Sequence, residues 1–114
     1  MNLSQPSSPP TFHGLAPGAA HTTGVQAVWT AWDLAAIIPV GTILVQIRMT
    51  SLATNLGGVR KDATEGSRFH NVANSAGPIP DVTLVAPSAT RTVETYDGAI
   101  GGANVSYYVE GYLV

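Results

Sequence analysis

The sequence predicts an all-β chain, a single antiparallel β-sandwich or barrel preceded by an extended N-terminal arm. Short runs of β-branched and aromatic residues recur at regular spacing, and turns rich in Gly and Pro separate them. No segment carries a convincing amphipathic helical pattern. The 114 residues, with 12 Gly and 8 Pro, suit one domain with a modest core and disfavour helix-rich folds. We divide the chain into an arm, residues 1–24, and a sandwich domain, residues 25–114.

The arm is set apart by its prolines and its lack of Lys, Arg, Asp and Glu. Proline fixes φ and removes a backbone donor, so this segment is not expected to form a regular helix or a central strand. Two interpretations stay open. The arm is either a disordered leader or an extended segment that becomes ordered on a neighbouring subunit, with Phe12, His13 and Leu15 as its contact residues.

About seven short strands are predicted in the domain. The clearest is 42–52, a half-buried antiparallel strand by its alternation. One face is predicted to carry Ile43, Val45, Ile47 and Met49, and the other Leu44, Gln46, Arg48 and Thr50. One helical turn is possible within 32–38. The glycine pair at 57–58 suits a hairpin turn or a bulge beside a short strand, and we interpret it and the pair at 101–102 as turns. The predicted strands are 25–34, 42–52, a short one near 55–62, 67–72, 81–86, 90–96 and 104–114.

The last strand is expected to close the fold. A strand that ends the chain without a polar tail is normally paired inside a sheet, because a free apolar terminus promotes aggregation. Its alternation places Tyr107 in the core and Tyr108 and Tyr112 on the outer face, where they would stack on a sugar or a partner protein. The predicted inner face is Val105, Tyr107, Val109, Gly111 and Leu113, and the outer face Ser106, Tyr108, Glu110, Tyr112 and Val114.

Charge and composition exclude several classes of protein. A net charge of −2 with five Lys and Arg residues argues against binding to nucleic acid. There is no secretory signal pattern and no apolar stretch of about 20 residues, so we expect synthesis in a cytoplasm and no membrane span. Cysteine is absent, which removes disulfides and thiolate metal sites.

No motif in the sequence indicates a chemical reaction, and we expect neither enzymatic activity nor a cofactor. The three histidines match no zinc signature, and His70 is expected to be a half-exposed strand residue. The closest carboxylate pairs flank turns, no serine lies in a nucleophile elbow, and the glycine pairs lack the Lys of a phosphate loop.

The charges are unevenly distributed along the chain. Basic residues, including Arg60 and Lys61, dominate 48–68, whereas acidic residues dominate 81–110. These are either solvated surface groups or complementary charges that set the register between copies of the chain.

Several stretches together resemble a small β-sandwich module of tailed-bacteriophage structural proteins. They are the run from Trp32 through Pro39-Val-Gly41 to Arg48, then Gly58-Val-Arg-Lys61, Gly66-Ser-Arg68, and the final Tyr-Tyr-Val-Glu-Gly-Tyr-Leu-Val. The resemblance covers roughly residues 25 to 114. It implies a jelly-roll-like sandwich and a component of the virion.

The role that the resemblance implies is a capsid decoration or cement protein. Such a protein binds the major capsid protein or other virion proteins, reinforces the shell through its arm and sandwich, and associates as a dimer or trimer. The alternative is a tail or fibre tip module that binds a receptor or glycan through Tyr and Asn side chains in loops 54–66 and 73–80. Phe12, His13, Leu15, Arg60, Lys61, Tyr108 and Tyr112 are the candidate partner-binding residues.

Overall fold

The computed structural model describes residues 9–16, 18–51, 54–72, 81–98 and 104–114. Within them the chain forms eight β-strands and a single turn of 3₁₀ helix, Ala63–Glu65. The strands are β1 (Phe12–Gly14), β2 (Thr30–Asp33), β3 (Leu44–Ser51), β4 (Asn55–Arg60), β5 (Phe69–Val72), β6 (Asp81–Val85), β7 (Thr92–Asp97) and β8 (Val105–Leu113). No helix in this described part has the length and apolarity that a membrane crossing requires.

The strands form two four-stranded antiparallel sheets packed face to face. Sheet A has the order β1-β8-β3-β6 and sheet B the order β2-β7-β4-β5. This is the strand order of an eight-stranded jelly roll, in which successive strand pairs wrap from one sheet to the other. The predicted sandwich and its jelly-roll-like topology are therefore confirmed.

The core lies between the sheets and follows from period-two alternation. In β3 every second residue from Val45 to Ser51 is buried, because those side chains point at sheet B. The buried apolar residues come from both sheets and from the turn after β2: Trp32, Leu34, Ile38, Val45, Ile47, Met49, Val59, Val72, Val85, Val93, Val105, Tyr107 and Val109.

The closing strand β8 lies inside sheet A between β1 and β3, as expected. Its predicted alternation is correct as far as Glu110 and wrong beyond it. The register of β3 on β8 shifts there, since Ile47 pairs with Val109 but Gln46 pairs with Gly111. Glu110 is the extra residue of a β-bulge, which reverses the faces that follow. Tyr112 therefore pairs with the buried Val45 and packs against the core, whereas it was predicted to face outward.

The glycine pair Gly57-Gly58 was predicted to turn the chain, but it lies within β4 in the interior of sheet B. A Cβ on Gly57 would come within 2.9 Å of Val72 Cγ2 and 3.0 Å of the Tyr107 hydroxyl oxygen. On the other face, a Cβ on Gly58 would lie 2.7 Å from Trp29 Cη2. Neighbouring side chains occupy the space on both faces of the strand, which explains why glycine is present without a turn.

The predicted strand 25–34 is shorter in the structure, and only Thr30–Asp33 pairs with β7. A hydrogen-bonded turn follows it, in which the Ile38 amide donates to the Leu34 carbonyl at 3.0 Å, at the place where the sequence allowed one helical turn. The Arg91 guanidinium donates to the Ala35 and Ile38 carbonyls and holds this turn against sheet B. The second predicted glycine turn, at 101–102, lies outside the described residues.

The predicted arm contributes β1, which the sequence analysis did not anticipate. The Thr11 amide donates to the Val114 carbonyl at 2.8 Å, and Phe12–Gly14 pairs with the end of β8. Further along, His21 forms an isolated antiparallel bridge with Tyr107. The segment is extended and lies at a sheet edge, as proline and glycine favour. Thr11, Leu15 and His21 form backbone hydrogen bonds with residues 107–114, so these described parts of the arm lie against the chain's own sheet A.

Candidate functional site

The outer face of sheet A carries an exposed apolar surface, which we call the apolar strip. It consists of Phe12 on β1, Leu113 on β8, Leu44 on β3, and Val82 and Leu84 on β6. Cross-strand pairing places them on one face, since Phe12 and Leu44 both pair with Leu113. Phe12 is 49% exposed, Val82 44% and Leu84 51%. Isolated apolar side chains are common on protein surfaces, but a contiguous patch indicates an interaction site.

A shallow groove of about 230 Å³ lies within the apolar strip, and its lining is Phe12, Leu44, Gln46, Leu84 and Leu113. The Phe12 ring forms one wall because it lies over Gly111, where a Cβ would come within 2.3 Å of Phe12 Cζ. Gly111 is thus the residue that lets an aromatic ring lie flat on the sheet.

A polar network borders the apolar strip. Glu110, the extra residue of the bulge, lies on this outer face and accepts hydrogen bonds from Gln46 Nε2 at 3.3 Å and from Arg48 Nε at 3.2 Å. The Arg48 guanidinium also stacks over the Tyr108 ring, 4.5 Å from its centroid. An apolar centre beside a polar border is the usual anatomy of a protein–protein interface.

The outer face of sheet B carries a different surface, the aromatic cluster of Trp29, Phe69 and Tyr96. Their ring centroids lie 4.8 to 5.5 Å apart. The Arg60 guanidinium stacks on the indole at 4.2 Å, and its Nε donates to Glu94 Oε1 at 2.8 Å. Phe69 remains 42% exposed, so the cluster is open to solvent.

A third feature is a cleft of about 570 Å³ where the two sheets separate at the β1 and β2 edges. Small and apolar residues line it: Leu15, Ala16, Gly18, Ala19, Ala20, His21, Trp32, Ala36, Ile37 and Val109. His21 stacks on Trp32 with ring centroids 4.3 Å apart and an interplanar angle of 6°. The half-buried imidazole therefore closes one end of the core.

Hydrogen bonds fix the His21 ring as well as its backbone. Its Nε2 shares a hydrogen bond with Thr95 Oγ1 at 3.3 Å, and the same hydroxyl is bonded to Thr23 Oγ1 at 3.0 Å. The backbone of His21 exchanges two hydrogen bonds of 2.9 Å with Tyr107. Burial removes water from the imidazolium and lowers the pKa of His21 from its ordinary value of 6.5.

We expect the neutral His21 ring to make stability depend on pH. Because the folded state lowers this pKa, the unfolded chain binds the proton more readily, and the stabilisation present above pH 6.5 is lost as the pH falls below that value. Urea denaturation at a series of pH values should show this loss in the wild type and a shallower dependence in His21→Gln. Parallel curves for the two proteins down to about pH 5 would contradict the assignment.

The structure does not bring the seven candidate partner-binding residues together. Phe12 and Tyr108 lie on the outer face of sheet A, as an interaction there requires. Tyr112 instead stacks on His13, with ring centroids 5.1 Å apart, at the β1 edge. Leu15 lines the cleft and packs against the core. Their separation divides the candidate site between a sheet face and a sheet edge.

Arg60 and Lys61 lie at the end of β4, away from the apolar strip. Arg60 is engaged within the chain, because its side chain is 11% exposed and its Nη1 donates to the Gly66 carbonyl at 2.9 Å. In the described part, Lys61 makes no ion pair through its ammonium group. His70 is half-buried on β5, as predicted.

The uneven charges are also paired inside the chain. Arg48 pairs with Glu110 and Arg60 with Glu94, each joining the basic region to the acidic one. The first pair joins β3 to β8 within sheet A, and the second joins β4 to β7 within sheet B.

Sequence reasoning missed Leu84, Val82 and the aromatic cluster. The alternation of β6 signals that two of its apolar residues face outward, but only the sheet order shows that they lie beside Phe12 and Leu44. The aromatic cluster joins residues from three distant segments of the chain. The sequence feature that accompanies it is Gly58, whose missing side chain leaves room for the Trp29 ring.

Among the described residues, no group of three or more His, Asp or Glu side chains is placed to hold a metal ion. No protein-family model matches the sequence, and a search of curated proteins finds no relative.

Proposed function

We propose that the chain is a structural protein of a bacteriophage virion, a capsid decoration protein that binds the outside of the shell and stabilises it. The observation that supports this best is the apolar strip with its polar border on the outer face of sheet A. In this proposal, the strip docks on the major capsid protein, and copies associate as dimers or trimers on the lattice.

In an isolated domain the apolar strip is exposed to water, which is unfavourable. Exposed Phe12, Val82 and Leu84 side chains lose contact with water when a partner covers them, which contributes about 25 cal/mol for each Å² of apolar surface buried. Burial of one small patch gives weak binding on its own. On a shell that repeats the same site many times, oligomeric copies bind with much higher avidity.

The fold is compatible with this role without establishing it. Jelly rolls occur in viral capsid proteins and in lectins, so the topology alone does not select a function. The resemblance to phage modules favours the virion, and the position of the strip favours contact through sheet A. Glu110 contributes by holding Gln46 and Arg48 beside the strip at a fixed border.

The test compares valine and leucine positions on and off the strip. Virions lacking the protein are incubated with purified wild type, Val82→Asp, Leu84→Asp or Val25→Asp, and bound protein is measured after sedimentation. Val25 is a matched control because it is 49% exposed but lies outside sheet A. We expect the two strip variants to lose at least about tenfold in affinity, equivalent to about 1.4 kcal/mol, while the control binds normally.

A second readout separates binding from reinforcement. Wild-type protein should raise the temperature at which undecorated shells release their DNA, and the strip variants should not. If Val82→Asp and Leu84→Asp fold normally and still decorate shells like the wild type, the strip is not the docking surface. If the wild type is never found on shells, the capsid role itself is wrong.

A further inference from the structure

The aromatic cluster lies on the face of the sandwich opposite the apolar strip. We infer that Trp29, Phe69 and Tyr96 form a saccharide-binding site that recognises an uncharged pyranose. This activity goes beyond shell binding. The two sheets pack face to face, so a copy docked through sheet A presents the outer face of sheet B to the surroundings.

The packing of the aromatic cluster against strand β4 supports this inference. The indole of Trp29 lies over Gly58, and a Cβ on that glycine would be 2.7 Å from Trp29 Cη2 and 2.6 Å from the Arg68 carbonyl oxygen. The ring thus rests close to the strand backbone. Phe69 and Tyr96 lie 5.5 and 5.3 Å from it between centroids and extend the aromatic surface across three segments of chain.

The second support is the polar groups at the rim. The Tyr96 hydroxyl makes no hydrogen bond to any residue that the structure describes. Glu94 uses Oε1 for Arg60, and its Oε2 likewise has no partner in the described part of the chain. One hydroxyl and one carboxylate oxygen therefore remain to bind ligand hydroxyl groups.

The aromatic rings of the cluster, with a few polar groups beside them, are suited to bind a pyranose. Its C–H face stacks on an aromatic ring, and its hydroxyl groups form hydrogen bonds at the edge of that ring. The Arg60–Glu94 ion pair leaves no net charge at the cluster, which favours a neutral sugar over a sulfated or phosphorylated one. A protein partner would also use Trp, Tyr and Arg, so the experiment must separate the two ligand classes.

The test uses the full chain and defined glycans. The protein is applied to an array that contains bacterial surface polysaccharides, cellohexaose and chitohexaose, and each hit is titrated while tryptophan emission is recorded. The chain has two tryptophans, and a Trp32→Phe background makes Trp29 the sole reporter. We expect a neutral glycan to bind and to change the emission of Trp29.

Two variants and one matched control locate the site. Phe69→Ala should weaken binding about tenfold through loss of a stacking contact. Tyr96→Phe removes only a hydroxyl that is unbonded in the described structure, so it should weaken binding without changing the denaturation midpoint. Tyr108→Phe makes the same change on the opposite face of the sandwich and should bind like the wild type.

Three outcomes overturn the inference: no glycan binds, binding is unchanged in both Phe69→Ala and Tyr96→Phe, or sedimentation shows that Phe69→Ala abolishes self-association through this face. The capsid proposal is judged separately. Val82→Asp and Leu84→Asp should keep full glycan affinity even when they no longer bind the capsid shell.

Discussion

Replacing Asp97 with alanine is expected to lower the free energy of unfolding by about 3 kcal/mol. Asp97 is fully buried at the end of β7. Its Oδ1 accepts a hydrogen bond from Asn55 Nδ2 at 2.8 Å, and its Oδ2 accepts one from the Val105 amide at 2.9 Å. The substitution leaves these donors without the carboxylate, and one of the bonds links sheet B to the first residue of β8 in sheet A.

Urea denaturation of the wild type, Asp97→Ala and Asp97→Asn measures this effect. The asparagine variant keeps the shape and one acceptor but places an N–H₂ donor where the Val105 amide also donates, so it should remain destabilised. Asp33→Ala is the control, because Asp33 is exposed and, among the described residues, accepts only the Ala35 amide at 2.9 Å. We expect it to lose about 1 kcal/mol or less. An Asp97→Ala protein as stable as this control would show that the buried carboxylate does not hold the sheets together.

Asp97 also shows how far the sequence can be interpreted. Its Asp-Gly context predicts a hairpin turn, and the strand does end there. Its burial could not be predicted, because it depends on Asn55 and Val105, which are 42 and 8 residues away along the chain. Local pattern indicates where a strand ends, while tertiary partners decide whether a polar side chain there is solvated or buried.

The same distinction explains the errors at β4 and β8. Strict alternation made β3 predictable because its burial repeats every two residues. The Glu110 bulge adds one residue without any local signal, which reversed the predicted face of Tyr112. Gly57 and Gly58 were assigned to a turn because glycine is common in turns. Glycine is present at both positions because Tyr107 and Trp29, which lie on other segments, pack too closely to leave room for a side chain.

The candidate surfaces depend on sheet order even more strongly. Phe12 was predicted to contact a partner protein, and the structure shows its side chain exposed on sheet A. Its position beside Leu84 follows only from the order β1-β8-β3-β6, in which residues 72 positions apart lie on one face. A jelly roll pairs strands that are distant in sequence, so composition and periodicity identify the strands but not the surface they form together.

Tyr107→Phe is expected to destabilise the fold by about 2 kcal/mol, because the hydroxyl of Tyr107 crosses the core and joins the two sheets. This side chain is fully buried on β8. Its hydroxyl oxygen accepts the Gly58 amide at 3.1 Å and donates to the Tyr96 carbonyl, both in sheet B. Burial raises the pKa of Tyr107 to about 12, so the phenol keeps the proton that it donates at neutral pH. The substitution leaves two backbone groups unpaired without opening a large cavity.

The measurement is urea denaturation of Tyr107→Phe beside Tyr108→Phe, the neighbouring tyrosine whose ring lies on the outer face. The control should stay within about 0.5 kcal/mol of the wild type. A double-mutant cycle with Gly57→Ala adds a geometric test, because the new Cβ would lie 3.0 Å from the Tyr107 hydroxyl oxygen. Removing that oxygen relieves one of the close contacts, so the double variant should be more stable than the sum of the single losses predicts. Strict additivity would contradict the predicted contact between a side chain at position 57 and the hydroxyl. A Tyr107→Phe protein as stable as the control would mean that the hydroxyl does not link the sheets, and that apolar packing alone holds β8 against β4.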